Sequence, residues 1–242
     1  MLRKKQILLL IFLLSFILNV IFIIRIVKNR MHYAEKSRLH QEMVKRDHSK
    51  RLFTKLSEEI SKENNNTKRG IKLPLEKNDI VFVGNSITEG FPLAELFNSI
   101  HIKNRGIGGD NSFDILYRID DLLKYQPKSI FLMVGINDIH QRLPEEITMT
   151  NIAQILRKIK KTKTKVYIQS ILPTADSAIN LTVQKYNEKI KILAKNEQIE
   201  FIDLYPKFIY RDKIADSLTY DGLHLTTLGY KIWKSEIYQF IN

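Results

Sequence analysis

Residues 80–90 read Ile80-Val81-Phe82-Val83-Gly84-Asn85-Ser86-Ile87-Thr88-Glu89-Gly90. A short apolar run stops at a glycine, and a serine follows two positions later. A continuous apolar run of this length, bounded by turn formers, is the pattern of a strand buried on both faces. A strand that ends in so tight a turn presents one hydroxyl at the carboxyl edge of a sheet, where open α/β domains place their ligand sites. An ordinary buried strand closed by a Gly-Asn-Ser turn has the same pattern. The difference lies in whether the rest of the chain supplies a base for Ser86, a group to orient that base, and donors for an oxyanion.

Working outward, further short apolar or β-branched runs fall at 79–83, 101–105, 129–134, 165–171 and 200–202. Amphipathic stretches separate them at 113–125, 146–161, 183–196 and 228–241, with Phe113, Leu116, Tyr117, Ile119 and Leu123 at helical spacing. Strands alternating with helices predict βαβ units and a parallel sheet covered on both faces. The expected fold is a three-layer α/β/α domain over 73–242 with a central parallel sheet of about five strands.

The chain is 242 residues long with a net charge of +13 and no cysteine. Disulfides, thiolate metal sites and cysteine nucleophiles are therefore excluded. Residues 1–72 carry 17 Lys and Arg against 6 Asp and Glu, whereas 73–242 carry 22 against 20. A nucleic-acid footprint needs its basic patch on the folded domain, and this domain is near neutral. No nucleic-acid partner is expected.

The basic segment has its own organisation. Residues 7–24 are apolar apart from Ser15 and Asn19, and Ile26 and Val27 extend the run. As a helix, that length spans a hydrocarbon core of about 30 Å. A cleavable signal peptide has a shorter apolar core and ends in small residues; here Arg25, Lys28, Asn29 and Arg30 follow instead. The expected organisation is a short tail at 1–6, a transmembrane anchor at 7–27, a basic stalk and linker at 28–72, and the α/β domain at 73–242. Arg3, Lys4 and Lys5 favour a cytoplasmic tail and an exported domain, although the basic residues after the anchor pull the other way. The stalk reads either as a self-associating helix or as an amphipathic helix on anionic headgroups. Two tripeptides, at Asn65 and Asn180, match the glycosylation acceptor pattern, and no inference rests on them.

Four loops at expected strand ends carry the chemistry: Gly84-Asn85-Ser86, Gly106-Ile107-Gly108-Gly109-Asp110, Gly135-Ile136-Asn137-Asp138 and Asp221-Gly222-Leu223-His224. An aspartate three residues before a histidine can accept from Nδ1–H and leave Nε2 free to take a hydroxyl proton. The competing reading is a surface turn whose Asp221 caps a helix near Thr226. Gly109 offers a closely approachable backbone N–H, or else a flexible turn with Asp110 or Ser112 capping the next helix. Asn137 offers a neutral amide donor, or else an Asx turn closing a strand. The conjunction of all four at strand ends favours the chemical reading.

These blocks, in this order, resemble those of the SGNH (GDSL-type) hydrolase superfamily, from about residue 75 to the C-terminus. The Asn104–Asp110 block is especially similar to that of platelet-activating factor acetylhydrolase catalytic subunits. The resemblance implies a flavodoxin-like fold and ester hydrolysis without a cofactor or metal. It departs at Asn85, where the family usually has aspartate. The expected mechanism has Ser86 as nucleophile, His224 as base and Asp221 as its orienter, with Ser86, Gly109 and Asn137 forming the oxyanion hole. Expected substrates are carboxylic esters of short acyl groups on lipid or carbohydrate alcohols. Acyl transfer at the same site and non-catalytic binding are the alternatives. Phe91, Leu143 and Tyr220 lie near the loops as acyl-pocket candidates, with core or rim packing as the competing role.

Overall fold

The computed structural model describes residues 74–241. The expected tail, anchor at 7–27, stalk and linker, with the acceptor tripeptide at Asn65, lie outside the described residues. Among the described residues no helix is long and apolar enough to cross a membrane.

The apolar run at 80–84 forms β1, Ile80–Gly84, buried along its whole length. Its turn continues as the short helix α1, Ser86–Glu89, and then α2, Leu93–Phe97. Next come β2 (Ile102–Gly106), α3 (Ser112–Leu123), β3 (Ser129–Leu132), α4 (Ile136–His140) and α5 (Glu145–Lys160). The chain then forms β4 (Lys165–Gln169), α6 (Ser177–Asn196), β5 (Glu200–Ile202) and α7 (Tyr205–Phe208). A small hairpin of β6 (Ile209–Tyr210) and β7 (Lys213–Ile214) precedes the last helix, α8 (Thr227–Ile237).

β1 to β5 make one five-stranded sheet in the order β2-β1-β3-β4-β5, parallel throughout. β1 and β3 carry no charged side chain and are wholly buried, as strands covered on both faces must be. One cover is built from α3, α5 and α6, which pack on one another. On the other, Phe91 and Trp233 stack 4.5 Å apart, and Phe91 meets Phe82 of β1 edge-on at 5.7 Å. Trp233 is fully buried, and its Nε1–H donates to Gln169 Oε1 at 2.6 Å. That bond satisfies the indole and fixes α8 to the end of β4.

The strand order reverses beside β1: the chain goes outward to β2, then returns to β3 on the other side. This is the switch-point arrangement of doubly wound sheets, which opens a crevice at the carboxyl ends of β1 and β3. Ser86 follows β1 and Asn137 follows β3.

Element ends differ from the periodicity in instructive ways. The apolar runs to 134 and 171 outlast their ladders, because backbone groups past the strand ends find other partners. Ile171 N–H donates to Asn187 Oδ1 at 2.8 Å, for example. α6 starts six residues before its apolar period, because Asp176 caps it, accepting from Ala178 N and Ile179 N. Asn180 is buried and bonds Thr174 and Asp212, so the second acceptor tripeptide is sealed inside the fold.

Candidate active site

Ser86 is the first residue of α1, and Asn85 is its N-cap. The Asn85 backbone is extended (φ −97°, ψ −152°), and its side-chain oxygen accepts from Ile87 N at 3.0 Å. That bond satisfies one orphan donor of the helix start and fixes the turn. The amide nitrogen of Asn85 is buried and has no hydrogen-bond partner among the described residues. The turn is held from below as well: Tyr230 Oη of α8 donates to Ile87 O at 2.9 Å. Burial pushes the Tyr230 hydroxyl well above its ordinary range, so it remains a donor.

His224 Nε2 lies 2.9 Å from Ser86 Oγ, and His224 Nδ1 lies 2.6 Å from Asp221 Oδ2. The other carboxylate oxygen of Asp221 accepts from Leu223 N at 3.0 Å and His224 N at 2.7 Å. Burial pushes the Asp221 carboxyl up, but the His224 ring and these two N–H donors outweigh it and hold the group down at about 2. A carboxylate so placed fixes the proton on Nδ1 and leaves the Nε2 lone pair for the serine. The competing role for Asp221, as a helix cap, belongs to Thr226, whose Oγ1 accepts from Gly229 N. Thr219 completes the loop, donating to His224 O at 2.7 Å and accepting from Gly222 N at 2.9 Å.

Gly109 lies in the loop between β2 and α3, and Asn137 lies in α4. Gly109 has φ +85°, a conformation that favours glycine, and no atom lies within 4 Å of where its Cβ would stand. Asn137 Nδ2 donates to Asp110 O at 2.8 Å. That bond uses one of the two amide hydrogens and orients the side chain. The expected caps of α3 are replaced. Asn111 caps the helix in a capping box with Asp114, while Asp110 pairs with Arg118 Nε at 2.8 Å. Arg118 in turn reaches Gly84 O at 3.2 Å.

Two further residues of the quoted blocks have structural work that the sequence did not assign. Asn104 Nδ2 donates to the carbonyls of Thr88, Glu89 and Phe91, while its Oδ1 accepts from Gly106 N. It staples the end of β2 to the end of α1; the available signal was a polar residue inside a strand. A Cβ on Gly106 would stand 2.2 Å from Glu89 N, so glycine is required for that approach. Asp138 is fully buried and accepts from Ser112 N and Thr148 Oγ1, tying α4 to the start of α3. Burial pushes its carboxyl up against these bonds.

Of the pocket candidates, Phe91 is core, stacked on Trp233 and Tyr230. Leu143 is partly buried. Tyr220 is 71% exposed and stacked on the His224 ring at 5.9 Å, at the rim of the site. One cluster with metal-ligand proximity, Glu76, Asp79 and His101, lies at the amino ends of β1 and β2, away from Ser86. Its buried carboxylate already faces Lys103 at 3.7 Å.

A serine at the switch point, hydrogen-bonded to an imidazole–carboxylate pair, goes with an ester hydrolase of the α/β class. The chain belongs to the GDSL-like lipase/acylhydrolase family, whose model matches residues 82–232. Platelet-activating factor acetylhydrolase IB subunit alpha1 of Rattus norvegicus is 30% identical over 164 residues, covering 63% of this chain and 70% of that protein. The alpha2 subunit of Mus musculus is equally similar, at 30% over 164 residues, 63% of this chain and 71% of that protein. The crystal structure of a GDSL-like lipase from Bacteroides thetaiotaomicron superposes with a TM-score of 0.65 at 28% identity, covering 76% of this chain and 96% of that one. The protein is an ester hydrolase.

Proposed function

We propose that the protein hydrolyses short-chain acyl or O-acetyl esters of lipid or carbohydrate alcohols through Ser86, His224 and Asp221. The observation that carries this reading is the continuous relay from Ser86 Oγ to His224 Nε2 and from Nδ1 to Asp221. Ser86 Oγ attacks the ester carbonyl as Nε2 takes its proton, and Asp221 stabilises the resulting imidazolium. The carbonyl oxygen, now anionic, is received by the N–H groups of Ser86 and Gly109 and by the Asn137 amide. The Ser86 N–H belongs to the first turn of a helix, where it has no intrahelical acceptor. His224 then protonates the departing alcohol, and water, deprotonated by the same nitrogen, releases the acid from the acyl-enzyme. The rat and mouse relatives are named as acetylhydrolases, which supports a small acyl group.

Residues 7–27 anchor this domain to a membrane on the extracytoplasmic side, which brings it near envelope lipids and surface glycans. Protease protection in intact spheroplasts tests that placement: digestion of the domain is expected, and full protection refutes it. For the chemistry, p-nitrophenyl acetate hydrolysis by the full chain is compared with Ser86→Ala. Turnover by the wild type and none by the folded variant is expected. Equal turnover by both removes Ser86 from the mechanism.

A further inference from the structure

The loop between β2 and α3 accounts for its backbone donors one by one. Ile107 N–H donates to Gly84 O at 3.0 Å, and Asp110 N–H to Ile107 O at 3.1 Å. Gly108 N–H donates to the side chain of Glu89, with Oε2 at 2.9 Å. Among the described residues, the Gly109 N–H alone of these four has no acceptor. Glu89 ends α1, three residues after Ser86 and so on the same helix face. The loop lies directly over that face: a Cβ on Gly108 would stand 3.0 Å from Glu89 Oε2 and 3.8 Å from Ser86 Cβ. The Glu89 carboxylate therefore ties the Ile107–Gly108 peptide down beside the nucleophile.

We propose that Glu89 is a positioning residue for the oxyanion hole: by accepting from Gly108 N–H it holds the Ile107–Gly108 peptide, and with it the turn whose next peptide carries the Gly109 N–H, against the helix turn of Ser86. This rests on the serine hydrolase reading above and deepens it. Two consecutive glycines give the turn little stiffness of its own, and a turn released from α1 would carry the Gly109 N–H out of reach of the developing anion. An oxyanion donor acts through being oriented before the reaction begins. The bond needs an acceptor at this place and not a charge; a charge so near an oxyanion opposes it. The two properties of the carboxylate therefore have opposite effects on rate, and substitutions can separate them.

The test compares Glu89→Gln, which keeps an oxygen acceptor and loses the charge, with Glu89→Met, which has similar length and no acceptor. Both are made in the full chain and assayed for p-nitrophenyl acetate hydrolysis beside wild type and Ser86→Ala. Glu89→Met is expected to lower kcat by about 10–10²-fold, part of the cost of losing one oxyanion donor, with KM within about 3-fold. Glu89→Gln is expected to keep kcat at or above wild type. The rate of phosphorylation of Ser86 by a dialkyl p-nitrophenyl phosphate, which needs the same hole, should fall in parallel with kcat. An unchanged kcat in Glu89→Met overturns the proposal, as does an equal loss in both variants or a loss confined to KM. Glu89→Met failing to fold while Glu89→Gln keeps wild-type kcat and folding also overturns it, since the bond would then serve stability. Absence of turnover in the wild type is a separate result, and it refutes the hydrolase mechanism instead.

Discussion

Asp221→Asn should nearly abolish turnover while leaving the fold intact, and the geometry says why an isostere fails. Oδ1 of Asp221 accepts two backbone N–H groups, from Leu223 at 3.0 Å and His224 at 2.7 Å, while Oδ2 faces His224 Nδ1 at 2.6 Å. An asparagine must keep its single oxygen toward the two N–H groups or turn it toward the ring. Turning it sacrifices two hydrogen bonds worth about 1 kcal/mol each and sets an NH₂ against two donors, so the first orientation is favoured by more than about 2 kcal/mol. In that orientation the side-chain NH₂ donates to Nδ1, which must then be the unprotonated nitrogen. The ring proton moves to Nε2, and His224 can no longer accept from Ser86. The same substitution in serine proteases costs about 10⁴ in kcat by this route, and a loss of that order is expected here. The assay is kcat for p-nitrophenyl acetate at neutral pH, with thermal unfolding as the control for folding. A folded Asp221→Asn variant within about tenfold of wild type would refute the tautomer argument.

Asn137→Ala should lower kcat by about 10²–10³ with little change in KM, the usual cost of one oxyanion donor; a change confined to KM would reassign Asn137 to ground-state binding. The depressed Asp221 carboxyl, at about 2, lies below the ~3.9 of a free aspartate. Its contribution to stability is therefore complete above about pH 4 and lost as the pH falls through about 2. The difference in unfolding midpoint between wild type and Asp221→Ala should shrink from about pH 5 to about pH 2.5 in urea titrations, and a difference that grows on acidification would contradict the sign.

The site was largely legible because its parts sit in loops whose residue types have few other uses together. Four short blocks carry Ser86, Gly109, Asn137, Asp221 and His224, and the structure brings Ser86, His224 and Asp221 into hydrogen-bonding reach. What the blocks concealed is the work of their other members. Asn104, Asp138 and Glu89 sit within the quoted motifs, yet each acts on a residue distant in sequence: Asn104 on the carbonyls of α1, Asp138 on the start of α3, Glu89 on the amide of Gly108. No periodicity encodes such bonds. Capping showed the same limit, since Asp110, Asn111, Ser112 and Asp114 all have capping chemistry, and tertiary partners occupy two of them: Arg118 holds Asp110 and Asn151 donates to Ser112 Oγ, while Asn111 and Asp114 form the box.

The order of strands was beyond the sequence for the same reason. Alternating apolar runs require a parallel sheet with helices on both faces, because buried strands read alike on both sides and connections of this length must cross over. They do not say that β1 lies between β2 and β3. By itself the sequence determined the alternation, the apolar runs, and the serine turn at 84–86, all properties of neighbouring residues. The tertiary structure decided that the chain reverses direction across the sheet beside that turn, so that the ends of β1 and β3 and the His224 loop converge. A hydroxyl and an imidazole 138 positions apart can meet only when packing across the whole domain, from Trp233 on Gln169 to Tyr230 on Ile87, holds both.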